Sequence, residues 1–540
     1  MKDSGSTGLL TRAASFSGLT LLSRLTGVVR DVVIATVFGA GAATDAFVLA
    51  FRIPNSLRRL FADGALSAAF IPALVREREH ADPLRIDSFV ARMAGTLAVV
   101  VMLVAGLAML LATPLALLFA PGSARSPAQV DLLAQLLRIT FPFLPCVSLA
   151  ALAGAVLMSH GRYTRWALAP ALLNLCMIAA ALALASHLAV PITALAWGVL
   201  AGGLLQVAWL WAGVARIGVR VRPAWGAFDP RVRAVSRAML PTVAGASVAQ
   251  LNLVFASAVA SMLHAGSQTW LFQADRFLEL PLALLGASMG IVLLPALSRE
   301  FARDDGQAAR TLAWALRGTV LTTLPATTGL LLLSEPLMTT FFQYGRYSAF
   351  DAAMSARALA LMSLGLPALV AIKTLLPAYY ARGDLASPVR MAGVSLLFNA
   401  VASVLLLMLM LALALAPGAG ADLPAWHVRL AALPGLHALL ALASAMANTC
   451  NAFLLWRGLR RAGVLDVRVH DRRQLARVGV ACALMAAVLV PLRDCLDFGA
   501  LGVAGRVGAL LALVGTGGLT FLLAWRLLGG RLSSLGNPPR

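Results

Sequence analysis

Apolar segments of spanning length recur along almost the whole chain, and short polar connections separate them. A helix needs about 20 mostly apolar residues to cross a bilayer core, whereas a transmembrane strand alternates in polarity over about 10 residues. The pattern therefore predicts membrane-spanning helices rather than an outer-membrane barrel. The predicted spans cover approximately residues 13–38, 45–74, 89–113, 132–158, 166–187, 191–215, 236–263, 269–297, 309–333, 355–380, 389–415, 436–456, 476–491 and 502–525.

The composition agrees with this pattern. Of the 540 residues, 60% are hydrophobic and only 12% are charged, and the mean hydropathy is +0.85. A soluble chain carries about 25% charged residues. We therefore predict an all-α polytopic membrane protein with about fourteen transmembrane helices.

The formal net charge of +21 comes from arginine, because Lys2 and Lys373 are the only lysines. The connections fall into two alternating sets. One set, together with both termini, holds 30 of the 44 basic residues, and the opposite set holds five. Cytoplasmic loops carry an excess of Lys and Arg. The sequence therefore predicts an even number of spans and cytoplasmic termini, and it argues against a nucleic-acid-binding surface.

A spacing of proline and glycine recurs in the two halves of the chain. Pro145 precedes Gly161 by sixteen positions, and Pro367 precedes Gly383 by sixteen. Each glycine comes before a span that contains an asparagine, Asn174 or Asn399. Transporters are often built from such repeats, with the substrate site between them; the alternative is a chance coincidence. The repeat predicts two six-helix lobes plus an extra C-terminal helix pair, with boundaries 1–222, 223–460 and 461–540.

Clear motifs of catalysis and cofactor binding are missing from the sequence. We find no HExxH or Walker A pattern, and the five cysteines form no CxxC pair. The segment GASMG at residues 286–290 matches GxSxG, but it lies inside a predicted span and not at the strand-to-helix turn that this motif needs. Residues 1–22 lack the cleavage site of a removable signal peptide. We therefore expect a protein that is not an enzyme, with no catalytic residue, no metal and no cofactor.

The first two predicted spans carry charged side chains, which are costly in a bilayer unless they face protein or water. The first span holds Arg24, Arg30 and Asp31. In the second span polar side chains recur at helical spacing and form a stripe on one face. This stripe consists of Asp45, Arg52, Ser56, Arg59 and Asp63, with Asn55 and Arg58 beside it.

Two interpretations of these charges compete. Arginines outnumber acids in these spans, and Pro54 is expected to kink the second helix, which favours a cationic cavity wall. The alternative is a set of structural ion pairs, Asp45 with Arg52 and Arg59 with Asp63, that locks two helices together.

The eighth span opens with QADRFLELP, and by the repeat it is the counterpart of the second span. Asp275, Arg276 and Glu279 lie within one helical turn of each other. Charged faces on both spans would meet across a lobe interface. The alternative is that Arg276 pairs only with Glu279.

Several long segments together resemble the MurJ/MviN family, whose members are bacterial lipid II flippases of the multidrug/oligosaccharidyl-lipid/polysaccharide exporter superfamily. The similarity extends from about residue 10 to 525 and is densest in spans 1, 2 and 8. The segments are SRLTGVVRD, FGAGAATDAF, NSLRRLFADGALSAAFIP, LRITFPF, QADRFLELP with LLGASMGIVLLPALS, and FQYGRYSAFDA.

The resemblance implies carriage of lipid II, an undecaprenyl-pyrophosphate-linked disaccharide peptide, across the bacterial inner membrane. It implies a central cationic cavity for the headgroup and a groove for the polyprenyl tail beside the last two helices. The family motif favours Arg58 where the helical stripe favours Arg52 and Arg59, and we follow the motif. The implied substrate-binding residues are Arg24, Arg30, Arg58, Arg276 and Asn55, and the implied acidic or gating residues are Asp31, Asp45, Asp275 and Glu279.

Three other functions make different demands on the same residues. A cation-coupled drug exporter predicts an acidic cavity, whereas arginines outnumber acids in the first two spans. An enzyme that acts on polyprenyl phosphates needs acidic metal ligands or a nucleophile cluster, and we find neither in the sequence. A scaffold for cell-wall synthesis proteins stays open as an additional role. Membrane lipids are expected partners, and the energy source stays open between membrane potential and a sodium or proton site at Asn252 or Asn399.

Overall fold

A computed structural model of the chain describes seven stretches of sequence. Within them all regular secondary structure is helical. The described residues are 4–58, 66–80, 83–219, 221–303, 306–414, 430–465 and 469–530.

The contacts divide the chain into two compact units, Met1–Met262 and Leu263–Arg540. The helices of unit 1 are α1 (Ser4–Phe38), α2 (Ala42–Arg58), α3 (Ser67–His80), α4 (Pro83–Leu110), α5 (Ala112–Phe119), α6 (Pro127–Thr140), α7 (Phe143–Ser159), α8 (Thr164–Ala179), α9 (Thr193–Arg216) and α10 (Pro230–Ser261). The helices of unit 2 are α11 (Ser267–Arg303), α12 (Gln307–Leu332), α13 (Ser334–Phe342), α14 (Ala349–Ser363), α15 (Leu366–Ala381), α16 (Ala386–Ala414), α17 (His437–Arg461), α18 (Val469–Asp494) and α19 (Val503–Leu527).

Unit 1 contains two apolar cores. The first packs α2, α6, α7, α8 and α9 around fully buried leucines such as Leu136 and Leu195. The hydroxyl of Thr140 donates to the carbonyl oxygen of Ala50 at 2.9 Å, so α6 also holds the backbone of α2. Helix α2, which carries several of the predicted site residues, is therefore packed against unit 1 along its buried face.

The second core of unit 1 explains where the units divide. It joins α3, α4, α7 and α9, and Val232 of α10 lies in it beside the stacked rings of Phe70 and Phe89. Because the start of α10 packs here, the contacts divide the chain after Met262 and not after residue 222. The two-lobe boundary taken from the repeat stays a prediction about internal symmetry.

Gly161 and Gly383, which marked the repeat, end α7 and α15 in the same way. Both adopt a left-handed backbone (φ 71° and 73°), which glycine tolerates, and both close the same pair of backbone hydrogen bonds. Gly463 and Gly529 close their helices similarly. The shared cap is consistent with a repeat, but it is too common in this chain to define one.

In unit 2 the last two helices pack against α12 and α13. Leu321 of α12, Val478 of α18 and Phe521 of α19 lie in one apolar core. A separate core joins α11, α12, α15 and α17 around Leu312 and Leu375. By its contacts, the predicted extra pair of C-terminal helices therefore belongs to unit 2.

Eight helical segments among the described residues, one of which joins α6 and α7, are long and apolar enough to cross a membrane, or ten if each bent pair counts as one span. The bent pairs are α12 with α13, at 65°, and α14 with α15, at 42°. The other four predicted spans involve α1, α2 with α3, α10 and α11. Among the described residues of these helices, Gln250–Ser261 of α10 is a shorter apolar helical segment. The chain is a polytopic helical membrane protein, and the count of fourteen is not confirmed.

Candidate functional site

Arg30 and Asp31 form a buried ion pair on α1. They are 4% and 2% exposed. Both Nε and Nη2 of Arg30 donate to Oδ1 of Asp31, at 2.9 Å and 2.6 Å. Arginine suits such a site because its planar guanidinium presents several fixed donors. The sequence placed these residues inside a span, and the structure places both inside unit 1.

Asn174 of α8 completes this site from 144 positions away. Nη1 of Arg30 donates to Oδ1 of Asn174 at 2.9 Å. Nδ2 of Asn174 donates to the hydroxyl of Thr26 at 3.0 Å and to the carbonyl oxygen of Ser23 at 3.4 Å. The amide thus joins α8 to both the guanidinium and the backbone of α1. Sequence reasoning noted Asn174 only as part of the repeat, because nothing local connects it to Arg30.

The first two helices also meet at Arg30, whose guanidinium carbon lies 5.8 Å from the ring centre of Phe51 in α2. Helix α1 runs without a break through Gly27. Arg24 and Arg30 therefore lie on different faces, and Arg24 is exposed whereas Arg30 is buried. The structure distinguishes a fixed arginine from an accessible one.

On α2, Arg58 and Asn55 are half-buried neighbours, and Nε of Arg58 donates to Oδ1 of Asn55 at 2.9 Å. The helix continues through Pro54 to Arg58. Asp45 and Arg52 are also half-buried on this helix. The other two residues of the predicted stripe, Arg59 and Asp63, lie outside the described residues.

Arg276 and Glu279 lie in unit 2, on α11. Nη1 of Arg276 and Oε2 of Glu279 are 3.5 Å apart, and the side chains are 31% and 39% exposed. The guanidinium carbon also lies 5.0 Å from the ring centre of Phe272. Asp275 on the same turn is half-buried. A long, partly exposed ion pair of this kind is weak.

Unit 2 contains an apolar cavity of about 580 Å³ between α12, α15, α17 and α18. Its wall includes Ala371, Phe453 and Trp456. Arg317 and Gln474 are polar residues that also line it. A cavity of this size and character suits an acyl or isoprenoid chain.

The segment FQYGRYSAFDA is folded into unit 2 between α13 and α14. Tyr347 is fully buried, and its hydroxyl lies 2.6 Å from that of Ser355. Ser348 and Asp351 form a capping box at the start of α14, and Asp351 also accepts a hydrogen bond from the indole of Trp270 at 3.0 Å. The segment is thus a packed turn that ties α14 to α11.

Among the described residues, no group of three or more His, Cys, Asp or Glu side chains is placed to hold a metal ion. The site is organised instead by arginines with amide and carboxylate partners. Such groups bind phosphates and carboxylates through paired, charge-assisted hydrogen bonds. In unit 1 the structure brings Arg30 together with Asp31, and Arg58 together with Asn55.

Comparison with solved structures defines the class of fold. A lipid II flippase MurJ in an inward closed conformation superposes with a TM-score of 0.75 over 95% of this chain and 98% of that chain, at 23% identity. An inward-facing multidrug resistance MATE family transporter of the MOP superfamily gives a TM-score of 0.63 over 84% of this chain and 98% of that chain, at 14% identity. The chain therefore has the helical fold of these membrane transporters.

Sequence comparison defines the family. The family model described as Lipid II flippase MurJ matches residues 34–423. A probable lipid II flippase MurJ of Vibrio cholerae is 36% identical over 98% of this chain and 97% of the relative. The lipid II flippase MurJ of Burkholderia cenocepacia is 36% identical over 83% of each chain. The chain belongs to the lipid II flippase MurJ family.

Proposed function

We propose that this protein carries lipid II from the cytoplasmic to the periplasmic leaflet of a bacterial inner membrane. The observation that carries the proposal is membership of the flippase family in a chain whose first two spans are rich in arginine. Transport then proceeds without covalent change to the substrate. The alternating charge of the connections supports cytoplasmic termini.

The headgroup chemistry matches the arginines. Lipid II carries a pyrophosphate and peptide carboxylates, and guanidinium groups bind both in bidentate fashion. The accessible Arg24 and the half-buried Arg58 are proposed to contact the headgroup, with Asn55 orienting Arg58. Arg276 is assigned the corresponding role on α11.

Arg30 is proposed to act from a fixed position. Asp31 and Asn174 hold its guanidinium in the described state. An anionic headgroup that competes with Asp31 for this guanidinium would couple binding to the packing of α1 against α8. Asp45, Asp275 and Glu279 are proposed to balance the arginines when no headgroup is bound, and the lobes are proposed to rock around it.

The apolar cavity of unit 2 is proposed to receive part of the polyprenyl tail. Its wall is mostly aliphatic and aromatic, and α18, one of the last two helices, contributes to it. Placing the tail here and the headgroup at the arginines separates the apolar and anionic ends of the substrate.

A reconstituted assay tests this function. Purified protein in vesicles should move a fluorescent lipid II from one leaflet to the other. Arg24→Ala and Arg58→Ala should each abolish most of this movement, whereas Arg390→Ala, at an exposed site near the start of α16, should retain it. If both site variants moved lipid II at the unmodified rate, the headgroup site would be assigned wrongly.

A further inference from the structure

The connection between α9 and α10 lies across α4 as an ordered strap, which we define as residues 221–229. The backbone N–H of Ala224 donates to the carbonyl oxygen of Ala91 at 3.1 Å. The N–H of Gly226 donates to the hydroxyl of Thr96, also at 3.1 Å. A loop with such bonds to a neighbouring helix has a defined position.

Two glycines allow this close approach. A Cβ atom added at Gly95 would overlap the backbone of Ala224, and one added at Gly226 would overlap Arg92. Because both contacts involve backbone or a Cβ, neither clash is relieved by turning a side chain. The strap therefore rests directly on the surface of α4.

Asp229 closes the strap at its C-terminal end. Its buried carboxylate accepts hydrogen bonds from Arg231, at 2.8 Å from the backbone and 2.9 Å from Nη2, and from Nη1 of Arg92 at 2.7 Å. These bonds, chiefly those from Arg231, hold the pKa of Asp229 well below its usual range. Nη1 of Arg231 also lies 3.5 Å from Oε2 of Glu77 in α3. The strap is thus fixed to α3, α4 and α10.

On this fixed backbone two aromatic side chains point away from the protein. Trp225 is 55% exposed and Phe228 is 79% exposed. Leaving such large apolar side chains in water is unfavourable by about 25 cal/mol per Å². Exposed aromatic residues on an ordered segment therefore indicate a contact surface.

The surface around the strap is positive. Of the described acids near the strap, Asp229 is paired with two arginines, Glu77 is paired with Arg231, and Asp87 of α4 is half-buried. The exposed arginines near the strap are Arg85, Arg216, Arg222, Arg233 and Arg237. An anionic partner fits this charge better than a neutral or cationic one.

The depth of the strap identifies that partner. Ala91 and Thr96 lie at the start of the apolar part of α4, whose membrane-crossing segment is Arg85–Leu110. Residues that contact these first turns lie where hydrocarbon meets headgroups. Trp with basic residues is typical of this boundary, and basic clusters there bind anionic lipid.

We propose that the strap is a binding surface for anionic phospholipid headgroups of the cytoplasmic leaflet. Trp225 and Phe228 enter the interface between headgroups and hydrocarbon, and Arg222 and Arg233 bind phosphates. The assignment to that leaflet rests on the orientation given under the proposed function. The contact anchors the start of α10 independently of the lipid II site.

A nitroxide attached to the full-length Phe228→Cys/Cys495→Ser protein tests the proposal. Its accessibility to membrane-soluble oxygen and to a water-soluble nickel complex is measured in phosphatidylcholine vesicles with and without phosphatidylglycerol. Native Cys495, exposed beside Asp494 and Asp497, supplies the matched control. The Cys495→Ser protein gives the background from the other cysteines.

The nitroxide at position 228 should lose nickel accessibility and gain oxygen accessibility when phosphatidylglycerol is present, whereas the label at Cys495 should not. Arg222→Gln should lower about fivefold the ratio of nitroxide in the membrane interface to nitroxide in water, because an arginine near an anionic surface contributes about 1 kcal/mol. Arg390→Gln, an exposed arginine of unit 2, should not change it. Equal nickel accessibility at positions 228 and 495 in both vesicles would overturn the proposal in favour of a solvated loop or a protein-binding one.

The orientation is tested separately with an impermeant maleimide on spheroplasts. Labelling of Cys495 but not of position 228 supports the cytoplasmic leaflet. Labelling of position 228 from outside would contradict the leaflet assignment and the proposed orientation together. The spin-label result in vesicles would still decide whether the strap contacts lipid.

Discussion

Arg30 and Asn174 are joined by a 2.9 Å hydrogen bond between the first and eighth helices of unit 1. The same amide donates to Thr26 of the first helix. A buried hydrogen bond to a charged group contributes more than a neutral one, and its loss leaves the charge under-satisfied. The position of this arginine therefore depends on a residue far from it in sequence.

Asn174→Ala should destabilise the protein by about 1.5–3 kcal/mol, because a charged donor loses its buried acceptor. Thermal unfolding in detergent measures this loss. Ser148→Ala is a matched control, because Ser148 is a buried polar residue of unit 1 whose hydroxyl has no hydrogen-bond partner among the described residues. An equal loss of stability in the two variants would contradict the role given to Asn174.

Asp31→Ala should lower the free energy of unfolding by about 3–5 kcal/mol, which is more than the effect of Asn174→Ala, because it removes a carboxylate partner of a buried guanidinium. Replacing both partners, as Arg30→Met/Asp31→Leu, should restore most of that stability, since neither member of this buried pair then carries a charge. The double variant should still fail to move lipid II. Recovery of transport with recovery of stability would show that the pair is only structural.

Arg58→Lys should lose most transport although it keeps the charge. Lysine lacks the planar fork that donates to Asn55 and to a phosphate at once. The initial rate of lipid II movement in vesicles measures the effect, and Arg390→Lys serves as the control. Full activity of Arg58→Lys would indicate that this position contributes charge alone.

Stability should fall in acid partly through Asp229. The pKa of this carboxyl is lowered in the folded protein, so its contribution is complete above the ordinary value of about 3.9 and is lost as the pH falls below it. Thermal unfolding of the parent and of Asp229→Asn between pH 7 and pH 3 measures this. The stability difference between them should shrink at low pH, and a constant difference would contradict the ion-pair account.

Filling the apolar cavity of unit 2 should impair transport in a chain-length-dependent way. Ala371→Trp places a large ring in the cavity, so movement of lipid II with a full polyprenyl tail should fall more than movement of a short-tailed analogue. Val401→Trp, at an exposed site on α16, is the control. An equal effect on both substrates would place the tail elsewhere.

Much of the architecture is predictable because span length and loop charge are local properties. The helical class and the charged spans follow from hydropathy alone. The bends at α13 and α15 and the packing of α10 with unit 1 depend on contacts between distant segments. Helical spacing predicts which residues share a face, but it does not distinguish exposed Arg24 from buried Arg30. Asn174 marked a repeat in the sequence, and only the fold brings it to Arg30.

A leaflet-specific measurement of lipid II in cells depleted of this protein tests the central claim most directly. Lipid II should accumulate on the cytoplasmic side, and the unmodified chain should restore its appearance on the periplasmic side. Arg24→Ala and Arg58→Ala, produced at the same level, should not restore it. Normal periplasmic lipid II after depletion, or loss of lipid II from both leaflets, would contradict the assignment of this chain as the flippase.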